Sequence, residues 1–466
     1  MSLSSALLTA KSSLAATSKQ TSVVSRNIAG ANDPDYSRRT ASLVSGPYGS
    51  LYVGISRSAD EALFNRLIQS NSAASSSSIL AGGLDRLSSL YSADNYSGSP
   101  SALIGDLRDA LQTYATSPAN GTLGDSVVSV AQSLADALNG GTDRIQSLRN
   151  DADREIADSV AGINDILAKF EKVNQEIVGG TRANRDVSDY LDQRDALLKQ
   201  LSGEIGITTM TRGDNDMVIF AENGVTLFET TARKVSFEQT TALAPGISGN
   251  AVLADGVPLS HETFDQPYGT GRLSGLLQLR DQVAPQYQMQ LDEMARGLVT
   301  IFADGDDGLF VWSNAPGGPE NAGTIRVSPT FITSEGGNPA LLRDGVNGQY
   351  NPEGAAGFSD RLRALNEAFS EPMAFDPASG LAASASLTDF SASSISWLEG
   401  KRQKANSEFS YNATVASQAD IALSNANGVD MDTEMALLLD LEHSYQASSR
   451  VLTTISAMLD DLLNAV

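Results

Sequence analysis

Apolar residues recur at alternating steps of three and four at both ends of the chain, which is the spacing of helices that pair as coiled coils. The first row is Leu3, Leu7, Ala10, Leu14, Thr17, Thr21, Val24 and Ile28. The last row is Leu437, Leu441, Ser444, Ser448, Val451, Ile455, Met458, Leu462 and Ala465, and beside it run Met435, Leu438, Tyr445, Leu452, Leu459, Leu463 and Val466. Because two rows cover more surface than one short partner helix hides, the pattern predicts contacts between the two ends and with neighbouring subunits.

Between the ends, the longest helical pattern runs from residue 126 to residue 178. An unbroken helix of that length would extend for roughly 80 Å, and it needs partners along its whole length. Asn139-Gly140-Gly141 is the position where a kink is expected. A Ser-rich stretch at residues 73–78 is typical of a solvated helix or a linker.

After Gly203 the pattern changes to short runs typical of β-strands. The pairs Asn223-Gly224 and Asp255-Gly256 tolerate positive φ and so predict two hairpin turns. Helical spacing returns at Leu273, and residues 304–357 read as loops and short strands laid over a scaffold. Two further helices are expected near 360–369 and 390–426.

Breaks in the pattern fix the helix ends. The first helix should stop at residues 32–35, where Pro34 disfavours helical backbone, and Asn427-Gly428 should break the chain before the last helix. Asp432 is expected to cap that helix, with Glu434 in its first turn. Both termini should therefore lie at one end of the molecule.

The predicted fold is mainly α with an inserted β domain (α+β, multidomain), an elongated helical bundle whose N- and C-terminal helices pair. Residues 1–35 with 428–466 form the terminal helical domain, and residues 36–204 with 271–427 form the helical body. Residues 205–270 form the inserted β domain, which is expected at the far end of the molecule.

Composition narrows the classes of function. A chain of 466 residues without cysteine excludes disulfides and thiol catalysis, and only His261 and His443 supply imidazole. A net charge of -24 makes nucleic acid and anionic membranes poor partners. Neither a signal peptide nor a transmembrane span is expected from the sequence.

Few residues suggest a chemical site. The carboxylates of residues 304–308 fit a solvated acidic turn better than a metal site, because no glutamate follows at EF-hand spacing. His261 with Glu262 and Asp265 is interpreted as an exposed polar cluster, His443 as a helix-surface residue, and residues 269–275 as a loop before a helix. No catalytic residue, cofactor or metal is therefore predicted.

Two short signatures resemble those of flagellar axial proteins. The run that closes the first helix resembles an N-I-A-N-A-N-T-P-G-Y-S-R motif and contributes Asn27, Ile28, Ala29, Asn32, Pro34, Tyr36, Ser37 and Arg38. The last 40 residues resemble the C-terminal signature of the same superfamily. In the interior, Asp192, Gln193, Arg194 and Asp195 lie in an L-D-Q-R-D segment similar to that of the hook-associated protein 1 family. Asp35 and Gly30 depart from the motif, where glycine and asparagine are usual.

The resemblance implies a non-enzymatic structural protein at the junction between hook and filament, exported without cleavage to the extracellular flagellum by the type III apparatus. Its implied partners are copies of itself, hook protein, the third hook-associated protein and a cytoplasmic export chaperone at the C-terminal helix. The apolar rows add the expected assembly contacts: Leu3, Leu7, Leu14, Val24, Ile28, Leu437, Leu441, Tyr445, Val451, Ile455, Leu459 and Leu462. The alternatives are another axial protein of the hook, rod or third hook-associated class, or a secreted enzyme with its site in residues 205–360.

Overall fold

A computed structural model describes residues 3–45, 51–89, 96–259, 269–305, 307–313 and 319–464. Its helices are α1 (Leu3–Gly30), α2 (Glu61–Ser88), α3 (Pro100–Thr116), α4 (Gly121–Arg182), α5 (Ser188–Glu204), α6 (Arg272–Gln278), α7 (Ala284–Ile301), α8 (Leu341–Asp344), α9 (Asp360–Ala368), α10 (Leu387–Asn427) and α11 (Met431–Asn464). A π-helical segment, Leu279–Val283, joins α6 to α7.

The strands are short. They are β1 (Arg39–Ser45), β2 (Leu51–Arg57), β3 (Ile207–Thr211), β4 (Met217–Ala221), β5 (Thr226–Glu229), β6 (Thr231–Ala232), β7 (Val235–Ser236), β8 (Leu253–Ala254), β9 (Val257–Pro258), β10 (Ala303–Asp304), β11 (Asp307–Gly308), β12 (Phe310–Trp312), β13 (Ile325–Val327), β14 (Met373–Ala374) and β15 (Ser384–Ala385). All pairings among them are antiparallel. The predicted class, mainly α with small inserted sheets, is confirmed.

Helix α4 is the backbone of the body. Its 62 residues correspond to about 90 Å at 1.5 Å per residue. The helix is continuous through Asn139-Gly140-Gly141, so the break expected there is absent. The Asn139 amide donates to the Ala135 carbonyl within α4 at 2.7 Å and to the Ile325 carbonyl of β13 at 2.9 Å, which ties this turn to its neighbour.

Two hydrophobic cores share α4. The first half of α4 packs with α3, α7, α9 and the start of α10 around Leu134, Tyr287 and Phe369. The second half packs with α5, α6 and strands β3 to β5 around Ile163, Phe170 and Phe228. Phe170 and Phe228 meet edge to face with ring centroids 4.9 Å apart, an arrangement that aromatic quadrupoles favour.

The two predicted hairpins are confirmed. Gly224, at φ +82°, turns β4 into β5, and Asp255 and Gly256, at φ +48° and +82°, turn β8 into β9. Strands β3 to β6 form one sheet in sequence order, and β7 to β9 form a second.

The expectation that the β region lies at the far end of the molecule is wrong. The turn between β3 and β4 lies against α5, where the Arg194 guanidinium donates to the Asn215 carbonyl at 2.6 Å. Arg57, Thr209 and Asn427 line a common cavity of about 550 Å³. Because β2 and the end of α10 meet the terminal helices here, the β3–β4 turn lies near the terminal helices. The second sheet lies beside α4, where the Asn164 amide donates to the Val235 carbonyl at 2.8 Å.

The Ser-rich stretch is neither a linker nor a solvated helix face. It lies inside α2, which packs along α10. Ser72 and Ser77 are buried, and the Asn412 amide of α10 donates to the Ser77 hydroxyl at 3.2 Å. Small side chains therefore let the two helices approach closely.

Helices α1 and α11 run antiparallel and form the terminal helix pair, as predicted. The hydroxyls of Ser13 and Ser448 lie 3.3 Å apart, and the Asn27 amide donates to Glu434 at 3.0 Å. The hairpin of β1 and β2 covers a second side of α1, where the Gln20 amide donates to the Ala41 carbonyl at 3.2 Å.

Candidate assembly site

Helix α1 has buried residues on two sides. Ala10, Thr17 and Val24 of the predicted row are buried, and so are Ala16, Val23 and Asn27 on the side toward the hairpin. Leu7, Leu14 and Ile28 are half-buried. The predicted row of α1 is thus the seam with α11.

The seam of α11 combines residues from both predicted rows. Glu434, Leu441 and Ile455 are buried, and Leu438, Leu452 and Leu459 are half-buried between them. These positions alternate in steps of three and four, and so they keep one face toward α1.

A second row on α11 stays open. Leu437, Ser444, Val451 and Met458 are seven residues apart, and the three apolar ones are 39%, 51% and 54% exposed. On the other flank, Met431, Met435 and Leu439 are also exposed. Contiguous exposed apolar surface of this kind marks an interaction site more often than a free surface.

The predicted assembly contacts therefore divide into two groups. Val24, Leu441 and Ile455 are covered inside the monomer, with Leu7, Leu14, Ile28 and Leu459 half-buried beside them. Leu437, Tyr445 and Val451 are exposed and available to a neighbour. The side chains of Leu3 and Leu462 lie outside the described residues.

A polar joint connects the terminal helix pair to the body, and Asn27 lies at its centre. The Asn27 amide donates to the Arg39 carbonyl at 2.8 Å and to Glu434 at 3.0 Å. Its carbonyl accepts from the Tyr36 hydroxyl at 2.9 Å and from the Arg39 backbone N–H at 3.0 Å. A fully buried asparagine that makes four bonds fixes the turn after α1 against the start of α11.

Glu434 ties three elements together. Its second carboxylate oxygen accepts from Arg38 Nε at 2.7 Å, and its side chain is fully buried. The Arg38 backbone N–H donates to the Asn427 carbonyl at the end of α10 at 2.7 Å. One arginine therefore joins the last turn of α10 to the first turn of α11.

The L-D-Q-R-D segment completes the joint from α5. Arg39 contacts Asp192 at 3.0 Å and Asp189 at 2.5 Å, and Arg57 contacts Asp192 at 3.2 Å and also Asp195. Burial raises the pKa of Asp192, and the two guanidinium groups oppose that shift. These ion pairs hold the β1–β2 hairpin, and with it α1, against the body.

Tyr36 packs into the joint. Its ring lies under the Arg39 guanidinium, 4.6 Å from centroid to carbon, and burial raises its pKa. Gly30 faces the same ring, and a Cβ there would stand 2.7 Å from two ring carbons. Gly30 therefore leaves room for the Tyr36 ring.

The structure thus brings together most of the two signatures. Asn27, Tyr36, Arg38, Asp192 and Asp195 meet in the joint, and the Ser37 hydroxyl bonds to Asp192. Ala29, Asn32, Pro34 and Gln193 are exposed, Ile28 belongs to the seam, and Arg194 bonds to the β3–β4 turn.

Arg39 and Arg57, which form the ion pairs with the carboxylates of α5, were not predicted as site residues. Their only signal was the position of Arg39 next to the first signature.

The predicted cap of α11, Asp432, is wrong, because the helix begins at Met431 and Asp432 lies inside it. The Asp430 carboxylate accepts from the N–H groups of Asp432 and Thr433 at 3.0 and 3.2 Å, because a cap must precede the first helical residue.

The other candidate residues have structural roles where they are described. Asp304 accepts from Arg361 and from the Val346 N–H, both at 2.9 Å, which makes it a buried anchor of the first core. Asp306, His261, Glu262 and Asp265 lie outside the described residues. His443 is exposed on α11, as predicted. Residues 269–271 lie in the loop before α6, whereas residues 272–275, which were also predicted as loop, already belong to that helix.

Within the described ranges, no three side chains of histidine, aspartate or glutamate converge as a metal site would require. None of the helices described combines the length and the apolarity needed to cross a bilayer.

Comparisons with known proteins agree with these observations. The family described as flagellar hook-associated protein FlgK helical domain matches residues 84–306, and the flagellar basal body rod FlgEFG protein C-terminal family matches residues 423–465. Flagellar hook-associated protein 1 of Bacillus subtilis is 22% identical, over 99% of this chain and 98% of that protein.

Flagellar hook-associated protein 1 of Salmonella typhimurium is 26% identical, over 67% of this chain and 60% of that protein. A solved structure of the flagellar hook junction protein FlgK from Burkholderia pseudomallei is similar to 53% of this chain and 46% of that chain, at 24% identity and a TM-score of 0.42.

Proposed function

We propose that this chain, which is similar to flagellar hook-associated protein 1 over nearly its whole length, is a member of that family and a structural component of the junction between hook and filament. The helical-domain match favours this class over hook and rod proteins, because the C-terminal match alone is named for the rod group. A catalytic role has little support, since Asp304 is used as a structural anchor.

The observation that carries the proposal is the open row on α11. A helix that already has its seam partner, yet leaves Leu437, Val451 and Met458 exposed, has apolar surface for a further partner. We infer that neighbouring copies cover this row in the assembled junction. Burial of apolar surface, at about 25 cal/mol per Å², then drives assembly.

The remaining partners follow from the same surface. We propose that hook protein and the third hook-associated protein contact the terminal helix pair from the two sides of the junction. A cytoplasmic chaperone would cover the open row of α11 before export, because an uncovered apolar row promotes premature association. The site of action would be the extracellular flagellum, reached through type III export without cleavage.

Loading of the full-length chain onto purified hooks tests the proposal. Val451→Glu places a charge in the open row, and we expect incorporation to fall about tenfold or more, because an unpaired charge at an interface costs several kcal/mol. The melting of the body should stay unchanged, since Val451 touches solvent in the monomer. Electron microscopy and sedimentation of loaded hooks measure the effect.

Ala457→Glu is the matched control, since Ala457 is exposed on the same helix but lies on another face. It should load like the unmodified chain. If Val451→Glu also loads normally, the open row is not the assembly surface.

A further inference from the structure

The third side of α1 is basic. With α11 on one side and the β1–β2 hairpin on another, the exposed side carries Lys11, Lys19 and Arg26. Helix α1 contains no carboxylate, although the chain has 56 acidic residues against 32 basic ones. A helix of one sign is thus presented by a molecule of strongly opposite net charge.

Helix α11 has the opposite character. It carries six carboxylates, at 432, 434, 440, 442, 460 and 461, against the single cation Arg450. Glu434 is used inside the joint, whereas Asp440 and Glu442 are exposed. The terminal helix pair is therefore basic on the α1 side and acidic on the α11 side.

These charges do not neutralise one another within the molecule. The Ser13–Ser448 and Asn27–Glu434 contacts set an antiparallel register that places Lys19 level with Glu442. Nevertheless, no ion pair within 4.0 Å joins Lys11 or Lys19 to any carboxylate of the described residues. Among the described residues, the hydrogen bond to the Glu442 carboxylate comes from the Gln446 amide at 3.4 Å, and Arg26 lies 4.0 Å from Asp186. The seam separates the two faces.

We propose that the basic face of α1 in one copy contacts the acidic face of α11 in the next copy around the junction. This inference rests on the proposed function and adds the pairing rule between subunits. Copies with a net charge of -24 repel one another, so assembly needs local complementarity. A head-to-tail contact of two different faces can repeat from copy to copy and so build a ring or tube, whereas a contact between two identical faces ends at a dimer.

Two charge-reversed forms of the full-length chain test the rule. The first carries Lys11→Glu and Lys19→Glu, so both helices are acidic. The second carries Asp440→Lys and Glu442→Lys, so the part of α11 from residue 440 to residue 450, level with Lys11 and Lys19, becomes basic like α1. Each alone should load onto purified hooks about tenfold less well than the unmodified chain at low salt, because like charges now meet. An equimolar mixture should load within about twofold of the unmodified chain, since the acidic form fits beside the basic form.

Loading of the mixture distinguishes contacts between subunits from contacts within one subunit, because mixing the two forms restores opposite charges only between subunits. Lys172→Glu with Lys234→Glu makes the same change in net charge on exposed residues of the body, and it should load normally. Lys11→Gln with Lys19→Gln should lose most of the salt dependence of loading. Matched melting curves confirm that each variant is folded.

The outcomes are distinct. If the unmodified chain fails to load, the proposed function fails and this rule fails with it. If the unmodified chain loads and the charge-reversed forms load equally well alone, only the pairing rule is overturned. A mixture that loads no better than its folded components also overturns it.

Discussion

Helices α4 and α11 show the same apolar spacing in the sequence, but they differ in how much of their apolar surface the structure buries. Along α4, Ile145, Ile156, Ile163 and Phe170 are completely covered by other parts of the same chain. Along α11, the open row leaves about half of Val451 exposed. The apolar periodicity of a helix predicts that one of its faces is buried. It does not tell whether the residues that bury this face belong to the same molecule or to a neighbour.

The difference lies in what surrounds each helix. Helix α4 has partners on several sides, and its charged residues lie between them. Among the described elements, helix α11 packs mainly on α1, and its open row stays exposed. The enclosed faces of α4 therefore stabilise the body, whereas the open row of α11 is the surface on which the proposed assembly role rests.

The largest expected effect is at the core of α4. Phe170→Ala removes a buried ring that meets Phe228, and we expect the free energy of unfolding of the body to fall by about 3–5 kcal/mol. Urea unfolding followed by circular dichroism measures this loss.

Val451→Ala on α11 is the comparison, with an expected change within about 0.5 kcal/mol because that side chain is exposed. Equal losses for the two variants would mean that α11 is buried in the monomer as α4 is, and the contrast between the helices would not hold.

A smaller effect is expected at the joint. In Glu434→Gln, the new amide N–H₂ group meets either the Asn27 amide or Arg38, and both of these are donors. One buried donor loses its acceptor, at a cost of about 1–3 kcal/mol. Hydrogen exchange should accelerate in residues 3–30 and 431–464, while α4 keeps its protection.

Glu442→Gln is the control for this change, because Glu442 is exposed on the same helix. Its exchange rates should match those of the unmodified monomer. If Glu434→Gln instead lowers protection equally in α4, the joint and the body unfold as one unit, and the terminal helix pair has no separate stability.

Local patterns in the sequence predicted most elements. The hairpins at Gly224 and Gly256, the stop at Asn427, and the pairing of the ends all followed from spacing and turn chemistry, which act within a few residues. The position of the β region did not follow, because it depends on contacts such as Arg194 with Asn215, between residues whose meeting no local pattern encodes.

The candidate site was predicted in part. The buried residues Ala10, Thr17 and Val24 lie on the predicted row of α1. The seam of α11 instead mixes two apolar rows, and only the register with α1 decides which positions turn inward. The joint was not foreseen as a unit, since Asn27, Arg39, Asp192 and Glu434 are far apart in sequence and meet only through tertiary structure.

The smallest expected effect is at the first three residues of α11, which are exposed. Hydrogen bonds from the Thr433 backbone N–H, from its hydroxyl and from the Asp432 N–H lower the pKa of Asp430 below its ordinary 3.8. A lowered pKa in the folded state means that the cap stabilises the helix above that ordinary value and loses its effect as the pH falls through the folded value. Amide exchange of residues 431–434 should therefore rise as the pH is lowered from about 5 to about 2, beyond the intrinsic pH dependence of exchange. Asp430→Asn, which keeps an accepting oxygen without a charge, should remove this excess, whereas Asp432→Asn should keep it. An excess that survives in Asp430→Asn would show that another carboxylate, and not the cap, controls the start of the helix.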